Sequence, residues 1–257
     1  MAQASKVDLL IVNAGQLVTC VGGSGRPKVG EEMLDLGVIE HGAVAVAGER
    51  VVAVGRSGEL EREIELDPDA RVVDAGGRLV MPGLVDPHTH LVFAGSREHE
   101  LELKLSGVPY LEILARGGGI LSTVRATREA GRDELVAVGL KYAEEMLRQG
   151  TTTAEAKSGY GLTTEDEIKQ LEAVREINAR HPIDLVPTFL GAHAVPEEYV
   201  GRGDEFVDLV IEDMLPAVRE RGLAEFCDVF CEEGVFSVEQ SRRVLERARE
   251  LGFGLKI

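Results

Sequence analysis

Short apolar runs broken by glycine occupy the N-terminal part of the chain, and a longer rhythm replaces them afterwards. DLLIVNAGQLVTC, GAVAVAGERVVAVG and RVVDAGGRLVMPG are rich in Val, Leu and Ala, with Gly or Asn at their breaks. Such runs predict short strands. Residues 43–47 and 51–54 flank Gly48-Glu49-Arg50 as the arms of a hairpin. Residues 1–78 are therefore expected to form a small β-sheet domain. Gly22-Gly23-Ser24-Gly25 reads as a loop, since a phosphate cradle would need a following Lys and helix.

From residue 79 to 257 the pattern becomes strand, loop, helix, repeated. A first strand is expected over 79–85, running into Asp86-Pro87-His88-Thr89-His90. Helical stretches follow near 109–115, 121–130 and 133–149. In the last, Leu135, Val138, Tyr142, Met146 and Leu147 recur at helical spacing, and Gly150 ends it. A second strand is expected over 151–156. The helix after it, over 164–178, reads as capped by Thr164 with Glu167 three residues on. A third strand (183–190), a helix (204–220), a fourth strand (226–230) and a helix (237–251) follow, and 254–257 opens a fifth strand.

Strands alternating with helices at this spacing imply a parallel sheet with crossover helices. Long loops after the strand ends point to an incomplete TIM-type (β/α)8 barrel of about five strands, preceded by the small β-sheet domain. A complete barrel takes about 250 residues, more than remain after residue 78. An N-terminal portion of a longer enzyme is the expected reading. An open doubly wound sheet is the alternative.

Composition narrows the partners. The 257 residues carry 28 Lys+Arg against 45 Asp+Glu, a net charge of −17. So acidic a surface repels phosphate backbones and anionic lipid, which argues against nucleic acid and membrane partners. No apolar run reaches the ~18–20 residues of a span, and the start does not read as a secretory leader. Three cysteines, Cys20, Cys227 and Cys231, are too few and too odd for a disulfide framework. A reducing, cytoplasmic compartment is expected.

The strongest chemical signal is His88-Thr89-His90. Residues i and i+2 of a strand share a face, so both imidazoles enter one space at the mouth of the first barrel strand. Two neutral imidazoles there can share a divalent metal, zinc being the default for nitrogen ligands. Two loop histidines satisfied by backbone are the alternative. Other positions cluster at the same mouth by sequence. Arg97 offers a bidentate fork for a carboxylate, or a surface pair with Glu98 or Glu100. Tyr160 sits between glycines that let backbone approach a ligand, or is a structural turn residue. His193 could bind metal, donate to a carbonyl, or be a loop histidine. Tyr110, in the long first loop, is a contact or a core residue. His41, His99 and His181 read as surface or loop histidines.

DAGGRLVMPGLVDPHTH resembles the first-strand signature of the amidohydrolase superfamily. HLVFAGSREHE, ARGGGI, EAKSGYGL and TFLGAHAVP narrow the resemblance to the imidazolonepropionase family, along the whole chain. That resemblance implies His88 and His90 as ligands of one divalent metal, zinc or alternatively iron. It places Arg97, Tyr110, Tyr160 and His193 around the substrate. The resemblance is to a single-metal branch, which implies Lys157 as a structural ammonium or one that supports the metal ligands from behind. The implied reaction opens 4-imidazolone-5-propanoate to N-formimidoyl-L-glutamate, with a small molecule as the partner and a homodimer as the assembly to test. No catalytic residue is identified within the chain; the proton-transfer groups and remaining ligands are expected beyond Ile257, so the 257-residue polypeptide is expected to be inactive alone. The alternatives are another amidohydrolase, a cyclic-amide hydrolase or deaminase, or a non-catalytic binding fragment.

Overall fold

The computed structural model describes residues 6–21, 26–109, 112 and 118–257. The chain divides into two compact units, Met1–Pro82 and Gly83–Ile257. Tyr110, most of the helix expected over 109–115, and the Gly22–Gly25 loop lie outside the described residues.

The first unit is a five-stranded sheet. Its strands are β1 (Val7–Val18), β2 (Val38–Ala47), β3 (Arg50–Arg56), β4 (Leu66–Asp74) and β5 (Leu79–Val80), with a 3-10 turn (Gly30–Leu34) before β2 and a short α-helix, α1 (Ser57–Glu63), before β4. Strand order is β3-β2-β1-β4, with β5 also paired to β1. The expected hairpin is present: β2 and β3 pair antiparallel, Ala47 opposite Arg50, across Gly48 at φ +60°. Ala43 and Ala45 pack with Leu10, Val12 and Leu60, while Val44 packs on the other side with Ala14 and Leu17. Burial on both faces explains the unbroken apolar run of β2.

The second unit opens with β6 (Leu84–Thr89), then α2 (Glu98–Leu105), α3 (Ile120–Glu129) and α4 (Arg132–Arg148). It continues through β7 (Thr151–Lys157), α5 (Thr164–Arg180), β8 (Asp184–Ala192), α6 (Gly203–Leu209), a π-helical turn (Val210–Met214) and α7 (Leu215–Glu220). β9 (Phe226–Val229), α8 (Val238–Glu250) and β10 (Gly254–Leu255) follow. All neighbouring strands pair parallel, in the order β10-β9-β8-β7-β6. Strictly sequential order is that of a (β/α)8 barrel; a doubly wound sheet reverses partway. The arrangement is five strands of an incomplete barrel. Among the described residues no helix is long and apolar enough to cross a membrane.

Three local expectations are corrected, and one helix, α2, was not expected. The strand expected over 79–85 is two: Leu79–Val80 joins the first sheet, and the barrel strand starts at Leu84. Pro82-Gly83 separates them, proline having no N–H for a ladder. The helix expected over 204–220 is interrupted by the π turn just before Pro216, which cannot donate to the carbonyl four residues back. α2 had no periodicity to announce it. Finally, Thr163, not Thr164, caps α5, accepting from Asp166 N at 3.1 Å. Glu167 is thereby released from capping and turns inward.

Candidate active site

β6 ends at Thr89, so His88 and His90 sit at the strand's C-terminal end, ring centroids 6.0 Å apart. Both line a cavity of about 580 Å³ with Lys157, His193, Asp228 and Phe230. These residues come from the ends of β6, β7, β8 and β9, which parallel pairing gathers on one side. His90 stacks on His193 at 4.6 Å with planes 8° apart, and Tyr160 leans on both rings at 4.8 and 5.3 Å. His90 Nδ1 is buried without a hydrogen-bond partner. Burial, reinforced by His193, His88 and Lys157, pushes the His90 pKa down to about 3, against a backbone hydrogen bond at Ser158. A neutral imidazole with an unspent buried nitrogen is a metal-ready donor.

His193 is held by one contact of defined polarity. Its Nδ1 lies 2.8 Å from the carbonyl oxygen of Gly159. A carbonyl only accepts, so the ring carries its proton on Nδ1 and the neutral imidazole offers Nε2 as an acceptor. Burial lowers the His193 pKa, with Gly159 and Asp228 opposing.

Beneath the histidines lies a buried charge network. Lys157 is 2% exposed; its Nζ donates to Asp228 Oδ2 and lies 3.1 Å from Glu155 Oε2. Glu155 Oε1 accepts from Thr188 Oγ1 at 2.6 Å and Lys256 Nζ at 2.7 Å. Burial pushes the Glu155 pKa up, but the Lys256, Thr188 and Lys157 contacts outweigh it and hold the carboxyl below its usual value. Asp228, Glu155 and Lys256 were not anticipated. The available signal was the spacing of Glu155 and Lys157 in Thr-Thr-Thr-Ala-Glu-Ala-Lys: two charges on one face of an otherwise buried strand need a partner.

Arg97 does not share the histidine cavity. It lines a neighbouring hollow of about 350 Å³ with Phe93, Thr123 and Tyr160. Its Nε and Nη2 both donate to Glu100 Oε2, at 3.0 and 2.8 Å, while Glu100 Oε1 accepts from Gly119 N at 2.6 Å. Tyr160 belongs to both places, touching the histidine rings and lining the Arg97 hollow. Among the described residues no three His, Cys, Asp or Glu side chains gather as a metal cluster. Cys227 is buried, and burial together with Asp228 pushes its thiol pKa up.

The turn between β7 and α5 shapes this site. Glu167 is fully buried and accepts from the amides of Gly159 (3.0 Å), Gly161 (2.8 Å) and Leu162 (2.8 Å). Gln170 Oε1 accepts from Tyr160 N at 3.0 Å. Burial raises the Glu167 pKa, against hydrogen bonds from Ser158 and those amides.

A sequence profile described as "Amidohydrolase family" matches residues 71–116. Imidazolonepropionase of Alkaliphilus metalliredigens is 59% identical over 251 residues, covering 98% of this chain and 59% of the relative. That of Symbiobacterium thermophilum is 58% identical over 252 residues, with the same coverage of 98% and 59%. The chain thus spans 59% of the length of these curated relatives. Among solved structures, guanine deaminase of E. coli matches with a TM-score of 0.60 at 18% identity, covering 94% of this chain and 51% of that one. A triazine hydrolase from Arthobacter aurescens gives 0.57 at 17% identity, covering 96% and 51%. At such identities the likeness is one of fold.

Proposed function

With homology to imidazolonepropionase over nearly the whole chain as the premise, we propose that this polypeptide supplies the substrate pocket and part of the metal site of a hydrolase that opens 4-imidazolone-5-propanoate to N-formimidoyl-L-glutamate. The observation that carries the reading is the trio of His90, His193 and Tyr160 packed ring on ring beside His88. A flat heterocycle would find aromatic faces and directional nitrogens there.

His88 and His90 would hold one divalent metal, zinc or iron; the unpartnered Nδ1 of His90 supports that fit. When bound, such an ion lowers the pKa of a water and polarises the carbonyl under attack. Catalytic zinc normally takes three protein ligands, and the described residues gather none beyond this pair. His193, with its proton on Nδ1, would accept from a ring N–H of the substrate, in place of the donation to a carbonyl that is one of the three roles its sequence context leaves open. Arg97 would receive the propionate. Glu100 already fixes the plane of its guanidinium, so little side-chain freedom is left to lose on binding. Tyr160 would lie between ring and tail. Tyr110 remains a proposed contact. The acidic charge and the free cysteines support a small-molecule partner, no nucleic acid or membrane, and a cytoplasmic setting; a homodimer is the assembly to test.

The test is a chimera joining these 257 residues to the remaining length of the A. metalliredigens relative, assayed with Zn²⁺ or Fe²⁺. Production of N-formimidoyl-L-glutamate, abolished by His88→Ala with His90→Ala, is expected. Arg97→Ala should cost about 1.5–3 kcal/mol in kcat/KM, and less on an analogue lacking the carboxylate. A folded chimera without turnover, or equal Arg97→Ala losses on both substrates, would count against the respective assignments.

A further inference from the structure

The turn Ser158–Leu162 is held from every side, and the arrangement is more than a helix cap. Three amides of this turn converge on the one carboxylate of Glu167, a concavity of the kind that binds anions. Here the anion is the protein's own. Its fit is tight: a Cβ on Gly161 would lie 2.5 Å from Asp166 C and Glu167 N. Leu162 takes a left-handed φ of +54°, which a branched apolar residue adopts only when its surroundings demand it. Two further carbonyls of the turn are bound by a cation. Arg128 donates to Gly161 O at 2.7 Å and Leu162 O at 3.2 Å. Gln170 takes Tyr160 N and passes its own amide to Val92 O at 2.7 Å.

Two side chains of the proposed pocket depend on this turn. Tyr160 is its central residue. His193 is oriented by Gly159 O, and Gly159 N is one of the amides bound to Glu167. Glu167 thus grips Gly159 through its N–H, and the carbonyl of the same residue, in the next peptide group along the chain, grips the imidazole. We propose that Glu167 is a positioning residue: by fixing the amides on either side of Tyr160, those of Gly159, Gly161 and Leu162, it sets the tautomer of His193 and the angle of Tyr160. The deepening rests on the imidazolone reading only for what the pocket binds; the control of His193 stands on geometry alone.

Two measurements test it. In the metal-free 257-residue chain with ¹⁵N-labelled histidine, the native protein should show His193 protonated at Nδ1. Glu167→Gln keeps the shape but replaces one accepting oxygen by a donating NH₂, so it cannot serve Gly159 as well as Gly161 and Leu162. That variant should give a mixed or Nε2-protonated His193 with the circular dichroism of the native fold. If it does not fold, Glu167→Asp, with its charge kept but drawn back by a methylene, reads the same signal. An unchanged Nδ1–H signature in the folded variants overturns the proposal. In the chimeric enzyme, the folded variant should raise KM about tenfold, the factor carried by ~1.4 kcal/mol of displaced hydrogen bonding, and change kcat by much less. A loss confined to kcat overturns the proposal. A chimera inactive with native Glu167 counts against the imidazolone reading, and the histidine signal still decides the role of Glu167.

Discussion

Lys157 lines the histidine cavity as a buried charge. It is nearly inaccessible and meets two carboxylates, so each charge is the condition for burying the others. Lys157→Met would leave Asp228 buried without its cation. The expected loss is about 3–5 kcal/mol of unfolding free energy, read from the urea midpoint at neutral pH. The double variant Lys157→Met with Asp228→Leu should recover much of it, because an apolar pair of similar volume needs no compensation. A single-variant loss below ~1 kcal/mol would remove Lys157 from the floor of the cavity.

At the scale of the element, helix starts decide where the loops between them point. α8 begins with a full capping box: Ser237 Oγ accepts from Gln240 N at 3.2 Å, and Gln240 Oε1 accepts from Ser237 N at 2.9 Å. Ser237→Ala should cost about 1 kcal/mol, seen as a lowered urea midpoint with an unchanged slope. A larger loss with a changed slope would mean that the cap organises the preceding loop as well. α5 starts differently. Thr163 and Asp166 complete its cap between themselves, which frees Glu167 for the turn that carries Tyr160. The π turn before Pro216 is the third case. It adds a residue to one helical turn while Val210 and Met214 stay fully buried.

In the second sheet one network joins Glu155 and Lys157 on β7, Thr188 on β8, Asp228 on β9 and Lys256 just past β10. It makes stability depend on pH in a definite direction. The Glu155 pKa is lower in the folded state than its reference of 4.5. The unfolded chain therefore takes up this proton first as pH falls. Stability contributed by Glu155 is complete above the unfolded pKa and is lost as pH falls through the folded one. Glu167 has the opposite sign: its raised pKa makes stability fall as pH rises through the folded value. Urea unfolding at about pH 6 and about pH 4 should show a loss for the native chain that Glu155→Gln reduces. An identical loss in that variant would remove Glu155 as a source of acid sensitivity.

The sequence by itself determined the two-part architecture, the alternation of strand and helix, and the placing of His88, His90 and His193 at strand ends. Those features are local: apolar spacing, glycine stops and an i, i+2 histidine pair are legible because neighbours in the chain cause them. The split of residues 79–85 and the shift of the α5 cap were decided by pairing with β1 and by the burial of Glu167, which no window around those residues contains. The same holds for the site. His90 and His193 stack although they are 103 positions apart in the chain, and the partners of Lys157 arrive from β9 and from its own strand. For Arg97 the sequence leaves open a fork for a carboxylate or a pair with Glu98 or Glu100; the fold pairs it with Glu100, in a hollow beside the histidine cavity, with Tyr160 lining that hollow and touching the histidine rings. A buried charge must find whichever opposite charge the fold brings within reach, and only tertiary packing chooses which one that is.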